Sequence, residues 1–155
     1  MKKRLFSLFT SLIMVISLVG VMPAMSVGAL ESGDYEYEIL DGGTVKITDY
    51  NGSATELTIP STIDDKTVTS IGGSAFYNCY SLTSITIPDS VTSIGDWAFS
   101  DCDSLTSINV NTNNKYYSSV DGVLFNKNKT ELIQYPIGNK RNSYTIPDSV
   151  TSIGS

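Results

Sequence analysis

Thr86-Ile87-Pro88-Asp89-Ser90-Val91-Thr92-Ser93-Ile94-Gly95 recurs letter for letter from Thr145 to Gly154, and this repetition decides the fold class. A chain built from such units stacks them, because each unit alone cannot bury its apolar edge and its neighbours do so instead. The product is an elongated array rather than a fold around a closed centre. Such an array offers a long surface for recognition and no built-in cleft for chemistry.

Around this string, Leu82-Thr83-Ser84-Ile85-Thr86-Ile87 and Leu105-Thr106-Ser107-Ile108-Asn109-Val110 show one pattern twenty-three positions apart. Ile85/Ile87 and Ile108/Val110 alternate with small polar residues, the period-two mark of a strand with one buried face. Pro88 lacks a backbone donor and suits the strand's end. After a turn through Asp89-Ser90, Val91 and Ile94 point inward and Gly95 breaks the run. Ala98, Phe99 and Cys102 then share one face of a single helical turn.

The preceding unit has the same grammar: Leu57-Thr58-Ile59-Pro60, Val68-Thr69-Ser70-Ile71-Gly72, Ala75-Phe76 and Cys79. Its turn is five residues longer, through Thr62 to Lys66, where a surface insertion costs little. Stacking the units predicts Phe76 on Phe99, Cys79 on Cys102, and Ile59 on Ile87 on Val110.

The strings Ile-Pro-Asp-Ser-Val-Thr-Ser-Ile-Gly and Ala-Phe-x-x-Cys-x-Ser-Leu-x-Ser-Ile resemble the BspA-like class of leucine-rich repeats of exported bacterial proteins, over Tyr35 to Ser155. The resemblance implies a mainly β fold with short helical turns: a right-handed leucine-rich-repeat solenoid, each rung carrying a strand on one face and a helical turn on the other. It also implies adhesion to host proteins or to other cells.

At the front, Tyr35 to Leu40 alternates, Asp41-Gly42-Gly43 turns, and Thr44 to Thr48 alternates again, a hairpin signal. Residues 30–56 are therefore expected to form an N-terminal β-hairpin cap over the first rung, because an uncapped solenoid end exposes core and strand edges. Repeats follow over 57–155. The unit at 105–143 is long, with Val123-Leu124-Phe125 and Leu132-Ile133-Gln134-Tyr135 reading as a hairpin around a polar Asn/Lys turn. Its last repeat is incomplete: Ser155 stands where Ala-Phe and Cys should follow. An interrupted array is the expectation, and an open last rung predicts end-to-end self-association.

Met1-Lys2-Lys3-Arg4 and the apolar run Leu5 to Val21 have the layout of a secretory signal peptide, with cleavage after Ala29 (residues 1–29). Three of the ten basic residues and none of the sixteen acidic ones lie within it, which leaves seven positive against sixteen negative charges, a net near −9. Such acidity repels nucleic acid and anionic lipid. The expected location is secreted or cell-surface, with no nucleic-acid partner and no membrane contact after signal cleavage.

The chain has no histidine, which removes the commonest general base and the commonest transition-metal ligand. No Gly-x-Ser-x-Gly elbow is present, so Ser90, Ser93 and their counterparts read as turn and strand hydroxyls. Asp64-Asp65 and Asp101/Asp103 fall in turns, with no cleft to hold two carboxylates across a sugar. The Asn-rich stretch from Asn111 to Asp121 matches no calcium-loop spacing. Cys79 and Cys102 read as a buried thiol pair in preference to a bridge. No catalytic residue, metal ligand or cofactor is expected.

The candidate ligand surface is the polar stripe of the strand face, Thr58, Ser84, Thr86, Ser107, Asn109 and Thr145, with Trp97, Tyr116 and Tyr117 as candidate aromatic anchors. The expected partner is an extracellular protein or glycan bound by a non-enzymatic module. The other readings are a targeting or spacer segment of a longer secreted enzyme, or a truncated remnant of a longer repeat protein.

Overall fold

The structure is a computed structural model and describes residues 29–154; the expected signal peptide lies outside them but for Ala29. Among the described residues there are thirteen strands and no helix.

The chain opens with β1 (Leu30–Ser32), β2 (Tyr35–Ile39) and β3 (Val45–Tyr50), an antiparallel meander. The β2–β3 turn places Gly42 at φ 100° and Gly43 at φ 81°, backbone that glycine adopts without steric cost. β2 and β3 form a hairpin, and β1 is added outside it.

Two parallel ladders run on from the cap. In one, β3 pairs with β6 (Lys66–Ile71), matching Val45 to Val68 and Ile47 to Ile71, and β6 pairs with β8 (Ser93–Ile94). In the other, β4 (Glu56–Thr58), β7 (Ser84–Ile87) and β9 (Ser107–Val110) stack Leu57 on Ile85 on Ile108, and Ile87 on Val110. Ile59 continues that last row: its N–H donates to Thr86 O at 3.0 Å.

The Ala-Phe segments form a third row, of turns. Ser74, Phe76 and Asn78 donate to the carbonyls of Asp96, Ala98 and Ser100 in the next rung, at 3.1, 2.8 and 3.2 Å. Each segment closes on itself as well, Tyr77 N–H to Ser74 O and Ser100 N–H to Trp97 O. These i to i−3 bonds make tight turns rather than helix. Inside them the rings of Tyr35, Tyr50, Phe76 and Phe99 form a column with centroids 5.2, 5.5 and 5.6 Å apart. Aromatic contacts at such spacing add about 1 kcal/mol each beyond burial, and Tyr50 gives the cap the first ring under the repeats.

The longer turn of the first unit is a small hairpin between β5 (Thr62–Ile63) and β6. Asp64 and Asp65 take φ 47° and 62°, the paired left-handed conformation of a two-residue hairpin turn. Asp64 is more than a solvated turn residue. Its carboxylate accepts from Tyr37 Oη at 2.6 Å and Ser32 Oγ at 2.8 Å, tying the insertion to the cap. The same bonds hold the Asp64 carboxyl below its usual range and the Tyr37 hydroxyl above its own.

The third unit departs from the others. β10 (Tyr117–Val120), β11 (Val123–Asn126) and β12 (Glu131–Gln134) form an antiparallel meander, whose first turn lies against β9. Ile108 N–H donates to Gly122 O at 2.8 Å and Val110 N–H to Ser119 Oγ at 3.1 Å. Gly122, at φ 79°, sits so close that a Cβ there would meet Ser107 Oγ at 2.8 Å and Ser107 Cα at 3.0 Å.

The free edge of β9 is therefore occupied by the meander. Thr145, expected to continue the Thr58–Thr86–Asn109 row, lies in no strand: the place it would take is filled. The chain regains the array through β13 (Ser152–Ile153), which pairs in parallel with β12, Leu132 opposite Ile153, as Ile71 lies opposite Ile94. The first ladder is thus in two pieces, β3–β6–β8 and β12–β13, with a break between β8 and β12. The core divides near the same place. A large cluster runs from Tyr37 to Leu124, and a small one gathers Val123, Phe125 and Leu132.

Candidate binding groove

The break in the first ladder leaves a groove of about 520 Å³. β8 and its flanking residues contribute Thr92, Ile94 and Asp96 to one side. The other side comes from Glu131 and Ile133 of β12 with Ile153 and Gly154, and Tyr116, Tyr117 and Asn126 complete the lining. Ile94 and Ile133 are half-buried, and Asp96 and Tyr116 are exposed. Among the described residues no lysine or arginine lines the groove.

Its aromatic corner is built by Asn114, which is fully buried. The amide nitrogen donates to Pro88 O at 2.8 Å and Val91 O at 2.9 Å, and the amide oxygen accepts from the backbone N–H of Tyr116 and of Tyr117, both at 2.8 Å. All four positions of the amide are filled. Asn114 thereby fastens the turn of the repeated decapeptide to the two tyrosines. Lys127 Nζ donates to the Asn114 carbonyl, so this nearby cation is engaged with backbone.

Tyr117 is half-buried, and burial pushes its hydroxyl above the usual value, a bond with the Ile94 backbone draws it back, and the neighbouring Glu131 carboxylate raises it again. Tyr117 therefore serves as wall, fixed at the edge of β8. Tyr116 leaves 52% of its surface exposed. On the opposite wall Asn126 Oδ1 accepts from the N–H groups of Thr130 and Glu131 at 2.9 and 3.1 Å, which sets the start of β12.

The polar stripe is also assembled, in part. Thr58, Thr86 and Asn109 lie in register, as do Ser84 and Ser107. Gly122 closes the row at Ser107, and Thr145 stands apart from it. The stripe is three strands wide, about 10 Å at the usual strand spacing.

Of the three candidate aromatics, Tyr116 and Tyr117 come together in the groove. Trp97 does not. It sits in the row of turns, 63% exposed, at φ 56° in the place that Ser74 takes at φ 59° one rung earlier. A bulky side chain in that conformation carries strain of about 1 kcal/mol or more.

Cys79 and Cys102 are free thiols. Cys102 is buried, its Sγ 2.9 Å from Phe76 O, and Cys79 is half-buried. The Cys79 thiol beside it, together with burial, pushes the Cys102 thiol up and away from the reactive thiolate. Among the described residues no three His, Cys, Asp or Glu side chains gather as metal ligands, and no helix is long and apolar enough to cross a membrane.

Asp96, Asn114, Asn126 and Glu131 were not among the residues the sequence singled out. The buried Asn114 lies inside an Asn-rich run that reads as surface loop, and Asp96 comes to the same groove as Asn126 and Glu131 only through the break in the ladder.

The family model described as BspA type leucine rich repeat region matches residues 49–155, in six copies. Among solved structures, the chain is similar to a leucine rich cell surface protein from Faecalibacterium prausnitzii, with 36% identity over 56% of this chain and 24% of that one, at a TM-score of 0.52. A leucine-rich repeat protein from Bacteroides capillosus is 27% identical over 81% of this chain and 96% of its own, with a TM-score of 0.51. Another from Bacteroides ovatus is 25% identical over 81% of this chain and 31% of its own, with a TM-score of 0.53. The chain spans about a quarter of the Faecalibacterium protein and under a third of the Bacteroides ovatus one. No curated protein matches it.

Proposed function

From its membership of the BspA-type leucine-rich repeat proteins, we propose that this chain is an exported, non-enzymatic recognition module that binds an extracellular protein or glycan at the bacterial cell surface. The observation that carries the reading is the groove at the ladder break, which Tyr116 and Tyr117 line together with two carboxylates and an amide. A concave site with convergent polar groups and an exposed aromatic is the form recognition takes on a scaffold of this kind. Asn114 fixes the tyrosines beforehand, which lowers the ordering cost of binding. The Thr58–Thr86–Asn109 stripe is a second, flatter surface along the same array.

Export agrees with the basic start and apolar run at the N-terminus, and surface residence with the likeness to the Faecalibacterium cell surface protein. The non-enzymatic reading agrees with the lack of histidine in the sequence.

The test is a panel of immobilised extracellular-matrix proteins and glycans, probed with the protein and with a Tyr116→Ala variant. The expected result is saturable binding to at least one probe that weakens about tenfold or more in the variant, as for an aromatic hot spot. A blank panel, or binding indifferent to Tyr116, contradicts the reading.

A further inference from the structure

We propose that the groove takes a basic side chain, lysine or arginine, presented by an extended segment of a protein partner. This rests on the recognition reading above and narrows its ligand class. The groove holds two carboxylates, Asp96 and Glu131, and among the described residues no cationic side chain lines it. Lys127 Nζ is engaged by the Asn114 carbonyl.

The lining suits such a side chain along its whole length. Ile94 and Ile133 offer apolar surface for the methylene stem, which long cationic side chains bury while the head stays polar. Tyr116 supplies an open aromatic ring at which a cation is attracted by the ring face. Asp96 and Glu131 then receive the head in charge-assisted hydrogen bonds. The Glu131 backbone is positioned by Asn126, so that carboxylate starts from a fixed strand.

Charge at longer range acts in the same direction. The residues after the apolar N-terminal run carry sixteen acidic against seven basic side chains, a field that speeds the approach of cations and repels anions. An anionic glycan or acidic peptide is disfavoured by both the groove and the field. A neutral sugar could use the tyrosine and the amide, but it would leave two carboxylates without a counter-charge.

The experiment is a titration of the 15N-labelled protein with tetralysine, tetraglutamate and maltotetraose at a salt concentration of about 0.15 M, following the backbone amides of Ile94, Asp96, Tyr117 and Ile133. Tetralysine is expected to shift these amides saturably, and the other two probes to leave them in place. Asp96→Asn combined with Glu131→Gln should weaken tetralysine about tenfold. A control pair outside the groove, Asp41→Asn with Asp103→Asn, changes net charge by the same amount and should weaken it less than about threefold. Unchanged circular dichroism shows that each variant is folded.

Equal weakening by the two pairs would overturn the site and leave only diffuse attraction. Maltotetraose moving the groove amides while tetralysine does not would overturn the ligand class and leave the recognition reading standing. That reading fails separately, on a blank result from the panel of extracellular probes.

Discussion

The two copies of the decapeptide have the same ten residues and different surroundings. In the first copy, Thr86 and Ile87 belong to β7, and Ile87 and Val91 are fully buried. In the second, Thr145 and Ile146 lie in no strand, Ile146 is 43% exposed, and Val150 is only partly covered. Ile94 is half-buried and Ile153 is 67% exposed.

The local hydrogen bonds nevertheless agree. Val91 and Val150 each donate to the proline carbonyl three residues back, and Gly95 and Gly154 each donate to the preceding rung at 2.8 Å. Thr92 and Thr151 each send N–H and hydroxyl to one threonine carbonyl. The sequence thus determines the turn and its grip on the rung before, while the elements packed against each copy determine its burial. Stability in such an array resides in interfaces between neighbours.

The widest gap between the copies should appear at the isoleucine of the strand. Ile87→Ala leaves a cavity in the core and should cost about 2–5 kcal/mol in chemical denaturation, whereas Ile146→Ala should cost less than about 1 kcal/mol. Equal losses would break the comparison at once. Next comes the residue that covers only the first copy. Asn114→Ala leaves Pro88 O with the Val91 N–H alone, strands the carbonyl of Val91 and the N–H groups of Tyr116 and Tyr117, and should cost about 2–4 kcal/mol. Amide exchange at Val91 should rise with it, and exchange at Val150 should stay as it was.

The glycines give a smaller contrast. At Gly95 a Cβ would lie 2.5 Å from Gly73 N and 2.9 Å from Gly72 C, both backbone, whereas at Gly154 the nearest atom would be Ile133 O at 3.2 Å. Gly95→Ala should therefore cost about 1–3 kcal/mol through overpacking, and Gly154→Ala less than about 1 kcal/mol by thermal melting. Smallest of all, and equal in both copies, should be the loss of the threonine hydroxyl. Thr92→Val and Thr151→Val each remove one 3.2 Å bond to a threonine carbonyl and should cost about 0.5–1 kcal/mol apiece. A marked inequality here would mean that the grip on the preceding rung also differs.

The same pair of copies shows how far the sequence could be read. The period-two strands, the hairpin cap and the stacking of Ile59 on Ile87 on Val110 are written in local pattern, and Phe76 on Phe99 follows from the repeat spacing. β1 is only three residues long, and its strand character comes from pairing with β2. The displacement of Thr145 cannot be seen in its own letters, since they match those of Thr86. It depends on where the meander lies, and that is set by Gly122 against Ser107 and by two bonds to β9.

The groove was illegible for the same reason. Asp96 belongs to one rung and Glu131 to another, and only the missing pairing between β8 and β12 brings both to one cleft. Tyr116 and Tyr117 were legible as aromatics off the repeat pattern. Asn114, which holds them, reads as one more polar loop residue until its burial is seen.

Native-state hydrogen exchange at Gly95 and Gly154 tests the central claim most directly, because the two amides share sequence, bond length and type of acceptor, while the first copy's turn is held by the buried Asn114 and the second copy leaves Ile146 43% exposed. The account predicts that Gly95 exchanges only through the large opening that disrupts the core, and Gly154 through a local one, about a hundredfold or more faster. Equal protection at the two glycines would contradict it, and would place the stability of a rung in its own ten residues instead of in its neighbours.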